Sequence, residues 1–183
     1  MSSITPNTGT TARVVAKRNA SPGKTKGRTM SKMTLKTEGD LHVVVTRRFA
    51  ASPEAVYRAH TEKTLLQKWM LGPDGWTMPK CVCEARPGGK IRYDWADGKG
   101  GSFYLTGEFV ELTPFSRIVH VERMHLPDVT PAAHIETTFE PDGAGTLMTM
   151  RMTLPDNATR AAMLASGIES GMETSYLRLE TMV

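Results

Sequence analysis

Tyr93, Tyr104, His120 and Glu122 are the side chains of this chain whose types could share acid and base work. A phenol or an imidazole can give a proton, and an imidazole or a carboxylate can take one, provided they converge on one enclosed space. His120 and Glu122 stand two apart and so share one face of a strand, while Val119, Val121 and Arg123 share the other. Spacing alone leaves open which set points inward.

Other chemistries lack their residues. There is no G-x-S-x-G elbow, no phosphate-cradling glycine loop of either common type and no H-E-x-x-H. His42, His60, His120, His125 and His134 lie in different segments or on different strand faces, so no metal and no cofactor is expected. Cys81 and Cys83 stand on one side of a strand, too awkwardly placed for a bond. They read as core thiols and suit a reducing compartment. Glu84 and Arg86 flank a Gly-Gly turn and read as a surface ion pair rather than as catalytic groups.

The apolar residues say more. Trp69, Trp76, Met78, Tyr93, Trp95, Tyr104, Met124, Met172 and Tyr176 recur along a chain that holds 12 methionines. The thioether is flexible and fills irregular apolar shapes, so as a set these residues favour an adaptable pocket. With His120 as a polar member and Gly171 leaving room, all of these except Met124 form the expected ligand-binding wall. Gly167, Gly171 and Ser175, four apart near the chain end, are small residues for which two accounts stand: close helix-to-sheet contact, or space for a guest.

The elements that must position these groups are legible from pattern. "LHVVVTRRF" alternates as a strand. Ser52 before Pro53 starts a short helix, and Thr61 offers a cap for a second one ending at Trp69. Six short strands follow, separated by turn chemistry such as "PGG", "GKGG" and "PDGAG". Pro155 and Asp156 then open one long amphipathic helix to the end, with Ala161, Leu164, Ile168, Met172, Tyr176 and Leu179 on its apolar stripe. The order predicts an α+β fold: a curved antiparallel sheet wrapped around a long C-terminal helix, with two short helices after the first strand.

Residues 1–37 differ in kind. They carry eight Lys and Arg and no acidic residue, whereas the remainder holds 15 basic against 19 acidic residues. This segment is expected to be a disordered tail ahead of a domain spanning 38–183. The mildly acidic body excludes a nucleic-acid-binding face, and no apolar run reaches the length of a membrane span. A cytoplasmic location is expected.

In order and spacing, "VVVTRRFAASPEAVYRAHTEKTLLQKWM", "CVCEARPGGKIRYDW", "LTGEFVELTPFSRIVHVERM" and the terminal "GMETSYLRLETMV" resemble the activator-of-heat-shock-ATPase-like branch of the START-related helix-grip superfamily, often called SRPBCC. The resemblance covers roughly residues 40–183. It implies a helix-grip fold holding a deep cavity for a hydrophobic small molecule, in a family that spans lipid carriers, cyclases and co-chaperone domains. Relatives frequently carry Trp near the position of Tyr176. The expected activity is therefore binding of a hydrophobic molecule between sheet and helix. A cavity enzyme of the aromatic polyketide cyclase type and a module stimulating a heat-shock ATPase are the alternatives. Expected partners are the small molecule, with a chaperone or a second copy of the chain as further candidates.

Overall fold

The computed structural model describes residues 32–183, so most of the expected tail lies outside the described residues. The fold nevertheless begins before residue 38. Met33 is buried, and β1 (Thr34–Glu38) pairs antiparallel with β2 (His42–Phe49), placing a strand across the expected tail boundary. A Thr- and Lys-rich strand has the composition of a tail; the alternating partner beside it makes it a strand.

Helix α1 (Pro53–Thr61) starts as its sequence dictates. The Ser52 hydroxyl accepts the Ala55 N–H at 3.3 Å, and proline occupies the first turn. Thr61 does not cap α2 (Lys63–Trp69): it closes α1, its hydroxyl donating to the Tyr57 carbonyl at 3.0 Å, and Glu62 takes the boundary position. A threonine so engaged with the preceding turn is unavailable to the next helix.

Strands β3 (Thr77–Cys83), β4 (Lys90–Ala96), β5 (Ser102–Thr113), β6 (Arg117–His125), β7 (Ala133–Asp142) and β8 (Gly145–Thr153) form a meander. The eight-stranded antiparallel sheet runs β1-β2-β8-β7-β6-β5-β4-β3. The β3–β4 turn depends on Gly89, where an added Cβ would lie 1.8 Å from the Glu84 carbonyl oxygen. No side chain fits so close an approach, which is why the turn reads Gly-Gly.

The terminal helix is two helices. α3 (Asn157–Ala165) and α4 (Ile168–Met182) are separated at Gly167, whose φ of +78° ends the first helix in the left-handed region. Gly167 is therefore a breaker rather than a member of a helical stripe. Tyr176 and Leu179 of α4 are buried against the sheet, whereas α3 fully buries none of its residues. Among the described residues no helix is long and apolar enough to cross a membrane.

Candidate functional site

Strand alternation sorts the sheet into a helix-facing and an outer side. Val43, Val45, Arg47 and Phe49 of β2 face α4, opposite Met152, Met150, Met148 and Thr146 of β8. Across the sheet, Ile91, Tyr93 and Trp95 align with Gly107, Leu105 and Phe103, and these continue to Glu122 and Met124, with His120 on the same side of β6.

One end of this face is closed. Trp69 stacks on Tyr176 at 5.7 Å and 20°, and Tyr176 meets Phe49 edge-on at 6.0 Å. The Trp69 indole donates to the Ala59 carbonyl at 2.9 Å, a fixed orientation for a ring that is 2% exposed. Burial pushes the Tyr176 phenol up, with the Arg47 charge opposing. Met78 is buried in the same core.

A second aromatic group is more open. Trp95 stacks on Phe103 at 4.9 Å and 21°, Tyr93 meets Trp95 edge-on, and Trp76 leans on Phe103 at 5.2 Å. The Trp95 indole donates to the Met70 carbonyl at 2.7 Å. Phe103, Trp76, Met124, Met150 and Met172 pack against the core yet are only partly buried, as are Met163 and Leu164 of α3.

His120 and Glu122 meet, Nε2 to Oε2, at 2.9 Å, while His120 Nδ1 is buried without a partner among the described residues. Tyr93 lies within the field of Glu122; burial first, then Cys83, raise its phenol well above the ordinary range, so it stays protonated and can serve as a donor. Burial likewise pushes the Cys81 thiol up to about 11 and raises that of Cys83, which disfavours thiolate chemistry.

Tyr104 lies on the outer side. It stacks on His125 at 4.2 Å and 11°, the Arg92 guanidinium carbon sits 4.2 Å from its ring centre, and His125 Nε2 meets the Thr106 hydroxyl at 2.7 Å. A cleft of about 410 Å³ opens beside this cluster at the sheet's end, lined in part by Asp94, Tyr104, His125 and Leu126 and also by Trp95 and Phe103. Tyr104 and His120 are thus on opposite sides of the sheet. Gly171 and Ser175 have a different neighbour: a Cβ on Gly171 would meet Pro73 Cδ at 3.7 Å, and the Ser175 hydroxyl accepts the Gly72 N–H at 2.8 Å. They seat the loop after α2.

Arg47 and Glu173 enter the sequence reading only as parts of the Arg-x-Phe and Gly-Met-Glu stretches that carry the family resemblance, with no role at the site. Arg47, with a fully buried side chain, donates through Nη1 to Glu173 Oε1 at 2.8 Å, and Glu173 Oε2 accepts the Met33 N–H at 2.9 Å. The available signal was alternation: in "HVVVTRRF" the apolar positions 43, 45 and 49 carry an arginine at 47 in their midst. Among the described residues no cluster of three or more His, Cys, Asp or Glu could hold a metal ion.

A curved antiparallel sheet closed by a C-terminal helix defines a helix-grip domain. The chain belongs to the family of Activator of Hsp90 ATPase homolog 1-like proteins, whose family model matches residues 50–183. It resembles a solved protein from Rhodobacter sphaeroides at 29% identity and TM-score 0.74, over 82% of this chain and 97% of that one. A protein from Chromobacterium violaceum is 25% identical with TM-score 0.66, over 78% and 96%. One from Mycobacterium smegmatis, at 18% identity, TM-score 0.74 and coverage of 82% and 95%, shares the fold. No curated protein gives a significant match.

Proposed function

We propose that the protein binds an apolar small molecule on the helix-facing side of its sheet, against α3 and the first turns of α4. The supporting observation is an incompletely covered apolar rim. Phe103, Met124 and Met150 from the sheet, Trp76 from the loop, Met163 from α3 and Met172 from α4 are each only partly buried. α3, separated from α4 by the break at Gly167, buries none of its residues fully. Flexible methionines on several elements around one face suit a guest of irregular shape. The expected wall of Trp76, Tyr93, Trp95, His120 and Met172 belongs to this reading; Trp69, Met78 and Tyr176 support it from behind as closed core.

Filling the rim tests it. Met172→Trp adds bulk at a partly buried position, so it should weaken binding of the neutral fluorophore phenylnaphthylamine at least about fivefold while changing the melting temperature little. A substantial loss of stability with probe affinity unchanged would overturn the placement. The family description raises stimulation of a chaperone ATPase as a second reading. That one stands only if the purified protein changes the ATPase rate of added Hsp90.

A further inference from the structure

Resting on the reading above, we propose that the ligand carries an oxyanion, such as a carboxylate, and that Arg47 receives it. Arg47 projects from β2 onto the helix-facing side, diagonally adjacent to Met150 of the rim, since Arg47 pairs with Met148 and Val45 with Met150. Its side chain has no exposed surface. The guanidinium carbon lies 5.5 Å from the Phe49 ring centre and 5.9 Å from that of Tyr176. Aromatic rings cover the cation, and its in-plane edges remain for hydrogen bonds.

One donor is used. Nη1 meets Glu173, while Nε and Nη2 have no partner among the described residues. Those two nitrogens form the edge that grips a carboxylate with two parallel bonds. The same chain shows that grip elsewhere: Arg92 holds Asp94 through Nε at 2.7 Å and Nη2 at 3.1 Å. Arg47 therefore holds two unmet donors in a water-poor setting beside the closed Phe49–Tyr176 end, where an unmet charged donor is costly and a met one is strong.

Glu173 shapes the site as a competitor. Its carboxylate already neutralises Arg47 from the Nη1 side, so an arriving oxyanion shares one cation with it. Removing the Glu173 charge should tighten oxyanion binding without affecting a neutral guest.

The test uses two probes with one aromatic body: neutral phenylnaphthylamine, and anilinonaphthalenesulfonate, which adds a sulfonate. Both are titrated by fluorescence against the full chain, Arg47→Met and Glu173→Gln, with thermal melts reporting folding. The full chain is expected to prefer the sulfonate about tenfold, Glu173→Gln to widen that preference about threefold, and Arg47→Met to abolish it while still binding the neutral probe. Equal binding of both probes to the full chain would overturn the oxyanion assignment and leave the apolar site standing. Binding of neither would overturn both. A preference retained in folded Arg47→Met also refutes it, and if that variant does not fold, an unwidened preference in Glu173→Gln does so instead.

Discussion

Replacing Gly171 measures what the row of small residues on α4 is for. The structure puts a loop against it: a Cβ there would stand 3.7 Å from Pro73 Cδ and 4.0 Å from Gly72 Cα, ordinary contact distances. Alanine should fit without moving anything and should gain roughly 0.8–1 kcal/mol of helix propensity. For a chain of this size about 1 kcal/mol corresponds to some 2–4 °C, so Gly171→Ala should melt higher by that amount. Leucine has no such room. The loop is held by three hydrogen bonds, the Gly72 N–H to Ser175 at 2.8 Å, Arg178 Nη1 to the Gly72 carbonyl at 2.6 Å, and Arg178 Nη2 to Asp74 at 2.6 Å. A branched side chain that displaces Pro73 must strain or break them, at a typical overpacking cost of about 1–3 kcal/mol. Calorimetry should therefore place Gly171→Leu several degrees below Gly171→Ala, with phenylnaphthylamine binding unchanged in the alanine variant. A leucine variant that melts as high as the alanine one would refute the argument, because it would show empty space beside Gly171 in place of the loop.

Two further predictions concern stability. Burial lowers the His60 pKa from 6.5 to about 4, so the folded chain refuses a proton that the unfolded chain accepts; stability should fall as pH drops from 6.5 towards 4, by up to about 3 kcal/mol. Urea unfolding should show this slope flattened in His60→Phe, and equal slopes in the two proteins would contradict it. At the amino end, a chain beginning at Lys32 should melt higher than one beginning at Asp40, because the shorter one loses buried Met33, its bond to Glu173 and the whole of β1, worth about 2 kcal/mol or more. Equal melting temperatures would mean that β1 contributes nothing to the fold.

The legible parts of the fold were those where one local signal suffices. Ser52 and Pro53 announce α1 because capping and a fixed φ are local properties. The β3–β4, β4–β5 and β7–β8 turns announce themselves through glycines. β1 was hidden because "TLKTE" has no apolar face of its own and becomes a strand by pairing with β2. The break at Gly167 was hidden for the opposite reason. The apolar stripe of α3 and α4 continues in phase across it, and a periodicity argument cannot see one residue turning to positive φ.

At the candidate site, residue type and residue face carry different information. Tyr104 and Trp95 lie on opposite sides of the sheet, since Trp95 pairs with Phe103, yet both rings line the cleft of about 410 Å³ at its end. Phe103, the ring that joins Trp76 to Trp95, was passed over. Arg47 shows the difference. Read by type it is one arginine of a charged pair in "TRRF"; read by face, Arg48 belongs outside with Thr46, and Arg47 belongs inside with Val45 and Phe49. A charge that alternation forces onto an apolar face must be paired, or be kept for a partner that arrives later. In this chain Glu173 takes Nη1 alone, and Nε and Nη2 are left without a partner among the described residues, which is the feature the paired neutral and anionic probes interrogate.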